Sequence, residues 1–323
     1  MASLIYITLH PANYHGHRAK PPFFEGWYFK LVNPDETVRY AIIPGIFLGE
    51  NGHAFIQVLD GVSGQTAYHT FPLDSFRASD REFNLHIGAN YFSSERILLD
   101  IPDGPLAVKG EICFEGINPW PVTLTSPGIM GWYSWMPKME CYHGVVSLDH
   151  ILQGSLEVDG KRHDFNTGHG YIEKDWGQAF PEAWVWFQSN HFDLPGVCIT
   201  GSVATIPWMG SAFRGFIIGL WYEKTLYRFA TYTGAKITSL EISDEAVDWT
   251  VENRNYHLEM RAERSEGGLL LGPTRQEMGK RVVETLNAKV NVKLSTRSGE
   301  LIYSGTGRNA GLEVFEAGSL ITP

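Results

Sequence analysis

The chain has 323 residues, 43% of them hydrophobic and 19% charged, a globular mix that excludes wholesale disorder. Its 26 Lys and Arg against 36 Asp and Glu leave a net charge of −10 with no basic block, which argues against a nucleic-acid partner and against an electrostatic hold on anionic lipid. No run approaches the ~18 apolar residues of a membrane span, and the three cysteines, Cys113, Cys141 and Cys198, form neither a disulfide framework nor a metal-ligand spacing.

In chain order the predicted elements are almost all strands. The apolar run Leu4 to Leu9 has no basic residue ahead of it, so no export signal is read and a cytoplasmic protein is expected. Peripheral membrane contact through exposed aromatics is compatible with that reading. Segment 26–32 (GWYFKLV) is aromatic and β-branched and is followed by Pro34. Segment 54–60 (AFIQVLD) is short and apolar and runs into a Gly- and Ser-rich stretch. Asp103-Gly104 and Asp159-Gly160 are hairpin signals, because Gly tolerates positive φ where the chain reverses. Further short runs follow at 184–190, 197–204, 216–221, 226–232, 248–252 and 257–261. Segment 275–286 spaces Met278, Val282 and Leu286 four apart, which reads as one helical face or as a loop entering the next strand. Segment 289–294 (KVNVKL) alternates cleanly, Ser298-Gly299 turns, and 301–303 (LIY) returns. Roughly eighteen to twenty strands predict an all-β chain of sandwiches or barrels. That is too many for one barrel of about eight, so two β domains are expected, 1–160 and 161–323.

Nucleotide and hydrolase motifs fail. The glycines of Gly272 to Lys280 are too far apart for a phosphate loop, and Arg281 stands where Ser or Thr is needed. Segment 305–311 (GTGRNAG) has its third Gly one place late, and no nucleophile elbow or His-Glu-x-x-His is present. His163, His169 and His191 could meet a metal only through folding, and no metal site is expected.

Three patches remain: 21–30 (PPFFEGWYFK), 127–144 (PGIMGWYSWMPKMECYHG) and 168–190 (GHGYIEKDWGQAFPEAWVWFQSN). Each embeds ionisable groups among rings: Glu25; Glu140 and His143 beside Tyr142; Glu173, Asp175 and Glu182. A carboxyl group in an apolar chamber can hold a proton at neutral pH, and ring faces stabilise a cation. Such a chamber suits protonation of an isolated alkene and a prenyl tail. Composition alone favours the plainer reading, in which the rings are core and the carboxylates pair with Lys138 or Lys174. Trp184 and Trp186, two apart, share a strand face that is either cavity wall or core. Glu173 and Asp175 share a face if 171–176 is extended, and Glu25 reads as a strand-start carboxylate accepting backbone N–H bonds.

The same patches, with GPTRQEMGKRVVETLNAKVNVKL at 272–294 and GLEVFE at 311–316, resemble the tocopherol cyclase family from Pro21 to about Glu316. The chain starts close to the first motif, without the transit extension of the plant enzymes, which suggests an unprocessed relative. The resemblance implies two lipocalin-like β domains and closure of a chroman ring on a prenylated hydroquinone without a redox cofactor. A non-catalytic prenyl-lipid carrier and an alkene hydratase are the alternatives. Carotenoid hydratases are distantly similar: their Gly-Tyr-x-Asp-x-Asn-Trp-Gly stretch resembles Gly170 to Gly177 here, with Glu173 at the acidic position. By that likeness Glu173 is the general acid, or Asp175 is. Tyr171 orients it, His143 with Glu140 relays a proton, and Trp27, Tyr142, Trp176, Trp184 and Trp186, with Glu25, line the substrate site.

Overall fold

The computed structural model describes residues 3–137, 139–208 and 210–321, with Ile321 as backbone alone. Lys138, a candidate partner for the carboxylates, lies outside the described residues. The chain is nearly all β, as predicted. Only two short α-helices, α1 (Leu4–Thr8) and α2 (Gly318–Ile321), occur among the described residues, and no helix is long and apolar enough to cross a membrane.

Two compact units divide the chain: Met1–Phe180 with Gly268–Val282, and Pro181–Gly267 with Val283–Pro323. The boundary expected at 160/161 falls at a hairpin turn inside the first unit; the division comes after Phe180 instead.

The strands of residues 1–180 are β1 (Phe23–Val32), β2 (Arg39–Leu48), β3 (His53–Asp60), β4 (Thr66–Phe71), β5 (Phe76–Ala78), β6 (Asn84–Ile87), β7 (Asn90–Ser93), β8 (Arg96–Ile101), β9 (Val108–Glu115), β10 (Val122–Thr123), β11 (Ser126–Pro127), β12 (Cys141–Val158), β13 (Lys161–Asp164) and β14 (His169–Gly177). One antiparallel sheet runs β4-β3-β2-β1-β14-β12-β9-β8-β7-β6-β5, with β13 paired to β12 and a separate β10–β11 hairpin. β1 sits mid-sheet between β2 and β14. Nine of its ten residues are buried, which is why its sequence is a continuous aromatic run. Trp27, Phe29, Leu31, Ile42, Ile56 and Ile172 meet in this unit's core. The Asp159-Gly160 turn joins β12 to β13 with both residues at positive φ, 48° and 77°, as a two-residue hairpin requires. Asp103-Gly104 lies in the longer loop joining the paired strands β8 and β9.

The rest of the chain adds β15 (Trp184–Ser189), β16 (Cys198–Trp208), β17 (Ser211–Tyr222), β18 (Thr225–Ala230), β19 (Lys236–Ile242), β20 (Ala246–Glu252), β21 (Tyr256–Glu263), β22 (Gly268–Pro273), β23 (Met278–Thr296) and β24 (Leu301–Phe315). The second sheet runs β18-β17-β16-β15-β24-β23-β21-β20-β19 around its own core of Val185, Phe187, Ile199, Ile218, Trp249 and Leu258.

Segment 275–286 forms no helix. Thr274 and Glu277 close a turn, with the Thr274 N–H donating to the Glu277 carbonyl at 2.8 Å, and β23 starts at Met278. A spacing of four places Met278, Val282 and Leu286 on one face of a strand as well as of a helix, and β-branched Val282, Val283 and Thr285 favour the extended form.

Candidate functional site

β14 separates two sets of polar residues by alternation. Tyr171, Glu173 and Asp175 point to one face; Ile172, Lys174 and Trp176 point to the other, where Ile172 and Trp176 join the core. Register then decides the neighbours. On β12, His143 lies opposite Asp175 and Val145 opposite Glu173; on β1, Gly26 lies opposite Asp175 and Tyr28 opposite Glu173.

The result is a chain of four side chains. The Tyr171 hydroxyl donates to Glu173 Oε2 at 2.5 Å. His143 Nε2 lies 3.6 Å from that same oxygen, and His143 Nδ1 lies 3.0 Å from Asp175 Oδ1. Glu173 is 5% exposed and flanked by the buried Tyr28 and Val145, whereas the Asp175 side chain is 28% exposed. With Nδ1–H donating to Asp175, Nε2 faces Glu173 as an acceptor, so a proton on Glu173 has a place to go and a route back. Cys141 Sγ stands 3.9 Å from Asp175 Oδ1. Burial, with Asp175 adding to it, pushes that thiol well above its ordinary pKa, so it is not a thiolate nucleophile.

Donor atoms of His143, Glu173 and Asp175 lie within 4.8 Å of one another, close enough to hold a metal ion. His143, however, turns a different nitrogen to each carboxylate, Nδ1 within hydrogen-bond distance of Asp175 and Nε2 toward Glu173; a chelate needs both carboxylates to converge with one nitrogen. His163, His169 and His191 stand elsewhere: His169 bonds Asp149 at 2.9 Å, His163 lies 3.4 Å from the Tyr40 hydroxyl and His191 lies 3.0 Å from Asn190 Oδ1.

The opposite face holds a buried ion pair. Lys174 bonds Glu25, and both side chains are 0% exposed. Lys174 Nζ also donates to the Asn13 carbonyl at 2.6 Å and lies 3.1 Å from His15 Nδ1. Its ammonium sits over the rings of Trp27 and Trp176, at 4.4 and 4.8 Å. The His15 backbone N–H donates to both Glu25 oxygens, at 3.0 and 2.9 Å. Burial works against the Glu25 charge, but Lys174 and His15 outweigh it and hold the carboxyl below its usual range. Burial lowers Lys174 to about 8 against the pull of Glu25, so the pair is ionised at neutral pH.

Within the first unit, several expected site residues therefore stand apart from Glu173. Glu25 accepts backbone N–H bonds and a lysine rather than facing the acid. Trp27, Trp176 and Tyr142 are on the core side: Trp27 donates to the Ala12 carbonyl at 2.9 Å, and Tyr142 stacks on Trp176 at 5.4 Å. Glu140 pairs with Arg275 at 3.0 Å, and Asp175, not Glu140, partners His143. Trp184 and Trp186 belong to the second unit, where Trp184 stacks on Phe315 at 4.4 Å. His15, which carries no sequence signal of its own, reaches the Lys174–Glu25 pair from the loop ahead of β1, and Tyr28, part of the aromatic run 21–30, is set beside Glu173 by strand pairing.

Residues 113–315 match the family model described as tocopherol cyclase-like. A protein of Oryza sativa subsp. japonica named "Probable tocopherol cyclase, chloroplastic" is 25% identical over 329 aligned residues, covering 83% of this chain and 68% of its own length. A Zea mays protein named "Tocopherol cyclase, chloroplastic" is 28% identical over 201 residues, covering 57% of this chain and 41% of its own length. Among solved structures, CghA with Sch210972 superposes with a TM-score of 0.55 at 10% identity, covering 92% of this chain and 90% of that one. A candidate AttH of Nitrosomonas europaea gives 0.52 at 14% identity, covering 90% and 92%. These likenesses carry the fold, an all-β lipocalin-like architecture. The family match takes in more than half of the residues, including His143, Tyr171, Glu173 and Asp175, and the chain belongs to the tocopherol cyclase-like family.

Proposed function

We propose that this protein closes a chroman ring on a prenylated hydroquinone, with Glu173 as the proton donor. The Glu173 O–H bond breaks as a C–H bond forms at the less substituted alkene carbon nearest the ring. The adjacent phenol oxygen captures the tertiary cation, and the phenol proton returns through His143 Nε2 to Glu173. The product is an isomer of the substrate, so the step as written consumes no electrons and regenerates the acid.

The observation that carries this reading is the buried Glu173 carboxyl, joined to Tyr171 and, through His143, to Asp175. Asp175 fixes the histidine tautomer, and Tyr171 orients the acid. Trp27 and Trp176 lie on the other face of the sheet, so stabilisation of the cation falls to the rings of Tyr28 and Tyr171, at about 0.5–2 kcal/mol each. The prenyl tail is drawn from a bilayer through peripheral contact at exposed apolar side chains.

Turnover of a prenylated hydroquinone in deuterated water tests the proposal. The wild-type product carries one deuterium on the carbon beside the new C–O carbon. Glu173→Gln keeps substrate binding and loses turnover by at least the ~10²–10⁴-fold that a general acid contributes. Native cyclisation by the variant sinks the assignment. Unchanged substrate from the wild type indicates a carrier, and an open-chain tertiary alcohol indicates a hydratase.

A further inference from the structure

β1 alternates as β14 does. Trp27 and Phe29 enter the core, which leaves Phe24, Gly26 and Tyr28 on the face of Glu173 and Asp175. Strand pairing sets one row across five strands on that face: Phe55, Gly45, Gly26, Asp175 and His143. The two glycines of the row differ. A Cβ on Gly45 would come within 2.4 Å of Phe55 Cζ and 2.7 Å of the Glu25 carbonyl oxygen, so this glycine makes room for the Phe55 ring. A Cβ on Gly26 would meet nothing among the described residues nearer than the Pro44 carbonyl oxygen at 3.8 Å, with Ile43 Cγ2 and Phe55 Cζ at 3.9 Å, which is ordinary contact. Its backbone does not ask for glycine either, since it lies within β1 and its φ is not positive.

Glycine inside a strand weakens it, and often marks a place where another group comes close to the backbone. Gly26 is also the one residue of β1 that is not buried. Bare backbone open to solvent therefore lies beside Asp175, whose side chain is 28% exposed, and one strand further on is His143, 16% exposed. Asp175 has an acceptor to offer there. Among the described residues its side-chain contacts, with His143 Nδ1 and Cys141 Sγ, both fall on Oδ1, which leaves Oδ2.

We infer that Gly26 is the floor on which the ring of a phenolic ligand lies, with a ring hydroxyl toward the Asp175–His143 pair. Phe24 and Tyr28, two places before and after Gly26, flank that floor, and the edge of Phe55 closes it opposite Asp175. An apolar surround with one acceptor at its side suits a neutral aromatic ring carrying a hydroxyl. In naming a phenol the inference rests on the reading above, but it concerns binding, which is measured without turnover and without Glu173.

The experiment uses the full chain and 2,2,5,7,8-pentamethylchroman-6-ol, with affinities from calorimetry. Wild type binds this probe. Gly26→Ala weakens binding about 10-fold, as a methyl group forced into a fitted contact does, and Gly26→Ser weakens it at least as much. Without ligand both variants melt no lower than wild type, because the added side chain fits and an extended backbone favours Ala or Ser over Gly. Wild-type affinity retained by Gly26→Ala overturns the inference. So does a wild type with no affinity for the chromanol, and so does a melting temperature lowered by several degrees in both variants, which would make Gly26 a requirement of the strand itself. Turnover in deuterated water reports separately on the acid: a wild type that binds the chromanol and cyclises nothing sinks the cyclase reading and leaves Gly26 as the ring's floor.

Discussion

Glu173 and Lys174 are consecutive residues that serve opposite faces of one strand. Lys174 is held by Glu25, Asn13 and two indole rings, all out of water. Removing one member leaves the other as an unpaired buried charge, so Lys174→Met alone is expected to cost about 3–5 kcal/mol. Replacing both, as Glu25→Leu with Lys174→Met, removes both desolvation costs and recovers most of that loss. Urea unfolding of the two single variants and the double variant checks this; additive losses in the double variant would contradict it. His150 sets a second expectation at this scale. It is 2% exposed, 4.6 Å from the Phe114 ring, and burial, with the charge of His169 adding to it, pushes its pKa down to about 3. The unfolded chain takes up this proton near pH 6.5 and the folded chain does not, so the unfolded state binds more protons between those values. Stability therefore falls as pH drops from about 6.5 toward about 3 and levels off below. Urea midpoints across that window should fall more for wild type than for His150→Gln, and parallel curves would show that His150 is not responsible.

Among the described elements, the hairpin of β10 and β11 with the turn Gly131–Trp135 presents three large apolar side chains to solvent within fifteen residues. Leu124 is 66% exposed, Trp132 44% and Val122 39%. The piece is built, not loose: the Trp135 indole N–H donates to the Leu124 carbonyl at 2.9 Å, and the Ser134 hydroxyl donates to the Pro127 carbonyl at 2.8 Å. Trp132 stacks on Tyr133 at 4.1 Å. An indole and a leucine at the tip of a braced hairpin can enter the outer layer of a bilayer without help from charge, in keeping with a net charge of −10. Leu124→Ser with Trp132→Ser should weaken partitioning onto neutral phosphatidylcholine vesicles about 10-fold, as the loss of partial burial of two apolar side chains implies. Sedimentation with vesicles reads this directly; equal partitioning of the variant would remove the hairpin from the contact.

At the scale of the molecule, the first unit is assembled from two stretches that are distant in sequence. The Gln57 amide bonds Leu271 in both directions, at 2.9 and 2.8 Å, while 4% exposed. Thr66 donates to the Leu269 carbonyl at 3.0 Å, and Arg275 pairs with Glu140. A fragment ending at residue 180 loses all of these, and each polar group of Gln57 left unpaired costs about 1–3 kcal/mol. The fragment 1–180 is expected to melt well below the intact chain, and a peptide of residues 266–284 should restore part of the loss. A fragment as stable as the first unit of the whole protein, without that peptide, would show that the returning segment is dispensable.

The periodicity of residues was legible without coordinates wherever it is local. The continuous aromatic run of β1, the clean alternation of KVNVKL in β23 and the Asp159-Gly160 turn each depend on side-chain sizes and backbone preferences within a few residues. The shared face of Glu173 and Asp175 follows from the same two-residue period. The spacing of Met278, Val282 and Leu286 was ambiguous because four residues is a whole number of strand repeats and nearly a whole helical turn. Strand pairing decided the rest. His143 meets Asp175 from 32 positions away, and Glu25 meets Lys174 from 149. Pairing also turned Trp27 and Trp176 toward the core and away from the acid. Alternation assigns residues to a face but does not say which face is buried or which strand lies alongside, and only the register of distant strands supplies that.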